Sequence, residues 1–210
     1  MAVGASPEAS NSRVIARPFV GADGVWERTK NRRDFSIEAP EETLLDALAK
    51  AGIPRTGVGK VDDLFARRNL AGGHTASNGE GIAKIREWLT SGDGFCFANL
   101  VDFDQSFGHR NDAPGFYGAL REFDAALPAL IDALREEDLL FVTADHGNDP
   151  TTPSTDHARE NVPVLVFGRR VRPVALGLRS TFSDVGATVA EWMGLGFRGR
   201  GASFLPALLG

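Results

Sequence analysis

A chain of 210 residues that is 42% hydrophobic and 24% charged, with a formal net charge of −5, has the composition of one soluble globular domain with room for a small appendage. The acidic balance argues against a general nucleic-acid binder, and no stretch approaches the ~20 apolar residues of a membrane span. The single cysteine, Cys96, cannot close an internal disulfide and sits in the apolar run Phe95–Ala98, which predicts a buried structural thiol in a reducing cytoplasm.

Residues 1–12 are rich in Ala, Ser, Gly and Pro and lack the basic and apolar regions of a secretory signal. They read as a disordered leader. Arg13–Val20 carries enough Val, Ile and Phe for a strand that Pro18 confines to an edge or an end, and Gly21–Gly24 is a turn. Trp26–Arg33 is polar and basic, and Asp34–Glu38 is a further short strand. Residues 13–38 therefore predict a hairpin-like β segment that must pack on something else. Arg17, Arg28, Lys30, Arg32 and Arg33 make this segment positive within an acidic protein. Charge pattern alone leaves a solvated basic face and a phosphate clamp equally open.

After Pro40 the pattern alternates. Glu41–Thr43 opens a helix whose stripe is Leu44, Leu45 and Leu48, with Gly52 closing it. Thr56–Val61 predicts a short strand, Asp62–Arg68 a helical turn, and the residues from about 78 a helix through Ile82, Ile85 and Trp88. Phe95–Val101 reads as a parallel strand buried on both faces. About Gly115–Leu134 is a long amphipathic helix that Pro128 can kink, followed by a strand at 139–143. Val162–Phe167 is another buried strand, and Ser183–Gly194 a helix capped by Ser183 or Asp184. Strands alternating with helices predict an α/β fold with a mainly parallel sheet flanked by helices.

Ligands gather at the carboxyl ends of strands in such sheets. Two polar clusters stand there, Asp102–Arg110 after one strand and Thr143–Glu160 after another. Asp104, His109, Asp145, His146 and His157 are the candidate metal ligands. Adjacent Asp145 and His146 offer an anionic oxygen and an imidazole at a strand mouth, Gly147 permits a sharp exit, and His157 can return to the same point. Five such ligands exceed one tetrahedral site and suit two ions about 3.5–4 Å apart. Carboxylate and imidazole without thiolate fit Mn²⁺, Zn²⁺ or Mg²⁺. Asp104 is preferred to Asp102 on the expectation that their side chains point to opposite sides. Asp149 and Asp156 read as loop-ordering carboxylates. His74, alone in a polar loop, reads as a surface or hydrogen-bonded histidine.

The stretches RVIARPFVG, NRRDF, TLLDALAKAGIP, GKVDDLFA, HTASN, NLVDFDQSFGHR, TADHGNDPTTPSTDHARE and VPVLVFG resemble the bacterial-type phosphopentomutases of the alkaline phosphatase superfamily. The resemblance runs from about residue 13 to the end of the chain. It implies a two-manganese enzyme that interconverts ribose or 2-deoxyribose 1-phosphate and 5-phosphate through a phosphoenzyme. By that resemblance Asp104, His109 and His157 match the ligands of one Mn²⁺, and Asp145 and His146 match ligands of the other. Arg17, Arg32 and Lys60 match positions that contact the substrate. Residues 13–40 match part of the family's cap domain, and residues 41–210 the C-terminal part of its α/β core.

The family also carries a further Asp ligand and a phosphorylated threonine in a segment with no counterpart in this sequence. The expectation is thus a core incomplete at its N-terminus, with no catalytic residue to name, and one tightly bound ion. A complementary N-terminal chain is the expected partner, and the chain by itself is expected not to be a mutase. Two other readings are a metal-dependent phosphatase or cofactor-independent phosphoglycerate-mutase-like enzyme, and a non-catalytic metal-binding fragment.

Overall fold

A computed structural model describes residues 13–29, 31 and 33–210. Its first part is a β-ribbon made of β1 (Arg13–Ala16), β2 (Phe19–Ala22), β3 (Val25–Arg28) and β4 (Arg33–Ser36). β2 and β3 pair antiparallel across a two-residue turn in which Asp23 and Gly24 both take positive φ, the hairpin geometry that suits strand twist. β1 and β4 pair below them. The break between the two ladders falls at Ala16–Phe19, where Pro18 offers no N–H and its carbonyl instead accepts from the Thr29 N–H at 2.9 Å. The polar and basic character of Trp26–Arg33 predicts no strand at β3; cross-strand pairing with β2, with Phe19 and Trp26 in edge-to-face contact at 5.3 Å, supplies it. The ribbon's base is fixed by the Ser36 hydroxyl, which donates to the Asp63 carbonyl at 2.6 Å.

The body follows as α1 (Leu44–Lys50), β5 (Arg55–Val58), α2 (Val61–Leu64), β6 (Gly72–Gly73), α3 (Asn78–Ser91), β7 (Phe95–Ala98), α4 (Ala113–Asp132), β8 (Leu140–Thr143), β9 (Val164–Phe167), α5 (Ser183–Trp192) and α6 (Leu205–Leu209). β6, β5 and β7 form a parallel sheet in that order, as the βαβ pattern requires. The expected α/β architecture, a parallel sheet flanked by helices, is therefore present. β8 and β9 differ from the parallel expectation and pair antiparallel. No helix lies between them, so the chain cannot make the crossover that a parallel return needs. β7 is partly exposed, with Phe97 at 37%, and not buried on both faces, since it is the edge of its sheet among the described residues. Cys96 on β7 is half-buried, and burial pushes its thiol up to about 11. No helix among the described residues is long and apolar enough to cross a membrane.

Two apolar clusters hold the body. Leu45, Leu48, Val61 and Leu70 form the first, which joins α1 to α2 and the loop after it. At its margin the buried carboxylate of Asp46 accepts from the Thr43 N–H and hydroxyl, Arg68 Nε and Asn69 Nδ2 at 2.6–3.0 Å. Burial alone pushes this carboxyl up, but the Thr43, Asn69 and Arg68 donors outweigh it and hold the group below the ordinary aspartate value of 3.8. A carboxyl lowered in the folded state stabilises above the unfolded value, and that stability is lost as pH falls through the folded one. Urea unfolding as a function of pH is expected to show a loss below about pH 4 that is shallower in Asp46→Asn.

The second cluster is built on Phe204, Leu205 and Leu208, with Leu139, Phe141, Val164 and Val166 packed against them. Here α5 lacks the expected cap. Ser183 is its first residue, and Asp184 instead accepts from the Ala202 N–H and Arg179 Nε, both at 2.8 Å, which holds its carboxyl low. Fully buried Thr188 donates to the Asp184 carbonyl at 2.7 Å and accepts from the Phe204 N–H at 3.1 Å. Thr188→Val keeps the shape and strands that N–H. Chemical denaturation is expected to report a loss of about 2 kcal/mol.

Candidate metal centre

The strand ends deliver the candidate ligands by two routes. After β7 the chain passes through Val101 into a π-helical turn at Phe103–Phe107 and a 3₁₀ turn at Gly108–Arg110. Such widened turns are frequent at functional sites because they re-aim side chains within one helical segment. This one presents Asp104 and His109. Asn111 then takes a left-handed conformation and Asp112 caps α4, accepting from the Gly115 N–H at 3.0 Å, so the turn is anchored at its exit.

After β8 the chain runs through Ala144 to Asp145 and His146, and a loop returns it at His157. The return is fixed by one antiparallel bridge, in which Gly147 and Ala158 exchange N–H to carbonyl bonds of 3.0 and 2.8 Å. That bridge sets the neighbouring His146 and His157 side by side, and their rings stack with centroids 3.7 Å apart. An added Cβ at Gly147 meets Glu160 Oε2 at 2.6 Å, so a glycine suits this crossing.

Asp104 is the hub. Its Oδ1 lies 3.2 Å from His157 Nε2 and 3.3 Å from His109 Nε2, and those two nitrogens are 3.3 Å apart. The three atoms form a near-equilateral triangle. Bonds of about 2.0 Å from an ion to tetrahedral ligands give edges of about 3.3 Å, so the triangle has the size of one tetrahedral face. The two facing imidazole nitrogens, 3.3 Å apart, can share one N–H or point both lone pairs at a common ion. His109 Nδ1 faces the Thr155 carbonyl, which can only accept, so Nδ1 carries the proton and Nε2 presents its lone pair to the triangle. Asn148 Nδ2 donates to Asp104 Oδ1 at 3.1 Å and orients the carboxylate. The donor set therefore fits a divalent ion.

His146 also belongs to this cluster, since its ligand atom and those of Asp104 and His157 all lie within 4.8 Å of one another. Asp145 stands beside it, 66% exposed, with Oδ1 3.6 Å from His146 Nε2. Asp104 and His157 are thus shared by two groups, one with His109 and one with His146, and Asp145 is at the rim. Lys60, at the carboxyl end of β5, donates to Gln105 Oε1 in the turn that carries Asp104. Arg17 is exposed at the break between β1 and β2, and Arg32 lies outside the described residues.

Asp102 accepts from the Asn78 N–H at 2.7 Å and the Ser106 hydroxyl at 3.0 Å, a wholly internal role. Strand alternation cannot separate it from Asp104, because residues two apart in a strand share a face; the helical turn puts them on different sides. Asp149 orders its own loop, accepting from the Thr151 hydroxyl and N–H at 2.7 and 2.8 Å, which lower its carboxyl. Sequence reasoning missed Asn148, Thr155 and Gln105. Asn148 directly follows His146-Gly147, the only local sign of its part.

Residues 69–196 match the Metalloenzyme superfamily. Among curated proteins, the chain is 54% identical to a phosphopentomutase of Anaeromyxobacter sp. (strain K), over 88% of this chain and 48% of that protein. It is 52% identical to one from Carboxydothermus hydrogenoformans, over 87% and 48%, and 48% identical to one from Desulfitobacterium hafniense, over 94% and 52%. The chain spans about half the length of the curated relatives it matches. A Leishmania mexicana phosphoglycerate mutase, solved at low cobalt concentration, superposes with a TM-score of 0.59 at 19% identity, over 75% of this chain and 37% of that one. That likeness concerns the fold alone.

Proposed function

We propose, since this chain belongs to the Metalloenzyme superfamily, that it is the metal-binding portion of a phosphopentomutase. The substrate would be a pentose phosphate, ribose or 2-deoxyribose, exchanged between its 1- and 5-phosphates. The observation that carries the proposal is the triangle of Asp104 Oδ1, His109 Nε2 and His157 Nε2, with the His109 tautomer fixed by Thr155. The relatives' name supports the substrate class.

Asp104, His109 and His157 hold one ion, assigned as Mn²⁺, and Asp145 with His146 contribute to a second. Bound there, the ions supply positive charge to phosphoryl oxygens that develop charge during transfer. The chain's own groups do the rest. Asn148 and the Thr155 carbonyl hold the ligands in orientation, and Lys60 places an ammonium group beside the turn that carries Asp104. Arg17 and Arg32 are assigned to phosphate or sugar contacts, residues 13–40 to a cap segment and residues 41–210 to the core. The remaining ligand of the second ion and the phosphoryl-carrying threonine are assigned to a segment matching the half of the relatives that this chain does not span, on the same polypeptide or a complementary one. A reducing cytoplasm suits the lone thiol.

Titration of the purified chain with Mn²⁺ is expected to give one tight equivalent and a weak second. Ribose 5-phosphate is expected from ribose 1-phosphate only when the complementary segment is supplied. Turnover by the chain as it stands would overturn that placement. Mn²⁺-dependent release of phosphate from several phosphomonoesters, without isomer, would favour a phosphatase.

A further inference from the structure

His74 does not stand alone. It follows β6, and Asp62 and Asp63 lie on α2 directly after β5, so all three come from the carboxyl-end edge of the parallel sheet, where ligand sites concentrate. His74 Nε2 is 3.3 Å from Asp62 Oδ1 and 3.1 Å from Asp63 Oδ2. The three ligand atoms all lie within 4.8 Å of one another. These separations exceed the 2.7–2.9 Å of a charge-assisted hydrogen bond and approach the edges of a tetrahedron around an ion held at about 2.0–2.1 Å.

An independent observation points to something bound there. Asp62 is only 7% exposed, and its Oδ1, the oxygen facing His74, is buried with no hydrogen-bond partner. A buried carboxylate oxygen without a donor is costly unless a cation satisfies it. Gly72 on β6 lies beside Asp62, whose Cβ a side chain at Gly72 would meet at 3.4 Å. Arg67 takes only the outer oxygens, with Nε 3.8 Å from Asp62 Oδ2 and a terminal nitrogen 3.4 Å from Asp63 Oδ1. The inner pair is left to His74. Asp62 and His74 also line an open cavity of about 720 Å³, through which an ion and its water can enter.

We propose that Asp62, Asp63 and His74 form a second metal site, separate from the Asp104 cluster, that takes one divalent ion of the Zn²⁺ class. Two carboxylates and one neutral imidazole make a three-ligand set with an open fourth position for water. This site shares no residue with the Asp104 cluster and does not rest on the pentomutase assignment.

The test is Zn²⁺ titration of the purified chain by calorimetry and elemental analysis, with Co²⁺ as a spectroscopic probe of tetrahedral geometry. His74→Ala and Asp63→Asn are each expected to lose one Zn²⁺ equivalent and the matching visible Co²⁺ band, while keeping the equivalent that Asp104→Asn loses. Asp104→Asn is expected to keep the His74-dependent equivalent. His74 is half-exposed, so its truncation leaves the core packed, and circular dichroism verifies the fold of each variant. Unchanged Zn²⁺ stoichiometry in folded His74→Ala would overturn the proposal and make the cluster an imidazole bridging two carboxylates. A folded His74→Ala that loses only the equivalent Asp104→Asn also loses would likewise overturn the proposal.

Discussion

Asp104→Asn is expected to cut the affinity for the tightest divalent ion by about 100-fold or more, beyond the 10–100-fold that loss of a supporting partner typically costs. The substitution keeps size and shape but removes the negative charge that faces both His109 Nε2 and His157 Nε2. Its one amide oxygen can still accept from Asn148 Nδ2, which donates to Oδ1 at 3.1 Å, so the orientation of the side chain is kept while the charge is lost. Asp104 is only partly exposed, and without metal the variant is expected to be as stable as the parent, since the lone pair of His109 Nε2 no longer faces a negative charge that lacks its ion. Calorimetry with Mn²⁺ and thermal melts with and without the ion check both halves. The parent is expected to gain a metal-dependent rise in melting temperature, by mass action on the folded state, that the variant lacks. A variant that binds Mn²⁺ as tightly as the parent would remove Asp104 from the centre.

Gly59→Ala is the second large effect, and it acts on the scaffold. Gly59 has φ of +84°, and a Cβ there falls 2.1 Å from the Asn99 carbonyl oxygen. The backbone conformation alone costs an alanine about 1–2 kcal/mol, and the clash is with main chain that cannot swing aside. Gly59 also donates to the Gly73 carbonyl at 3.0 Å, while Asn99 donates to the Val58 carbonyl at 2.8 Å. The position therefore pins the carboxyl ends of β5, β6 and β7 together. Moving it shifts Lys60, the start of α2 and the approach to Asp104 in one step. Chemical denaturation is expected to show a loss of about 4 kcal/mol, the range reserved for changes with a specific steric cause. Any folded fraction should also bind metal more weakly.

Much of this was legible in the residues. The α1 start follows from Thr43, which forms a reciprocal cap with Asp46, and α4 from its amphipathic pattern, although the helix begins at Ala113, before the expected Gly115. Apolar runs marked β7, β8 and β9, though their extents shrank to four residues each. The ligand types at two strand ends named Asp104, His109, His146 and His157 as candidates before any geometry was known. Periodicity and composition are local signals, and each of these features is decided within a few residues.

The sequence by itself determined an α/β chain with carboxylates and imidazoles at its strand ends and a motif shared along most of its length with phosphopentomutases. Only the tertiary structure decided what meets what. It turned β8 and β9 antiparallel, because the loop between them makes no crossover helix, and used a single Gly147–Ala158 bridge to stack His157 on His146. It set Asp184 against Ala202 in place of a helix cap, and it moved His74 from a lone loop residue to a position between two aspartates. Each of these rests on contact between segments distant in sequence. Such contacts depend on how sheet, helix and loop pack in three dimensions, and the order of residues along any one segment does not record them.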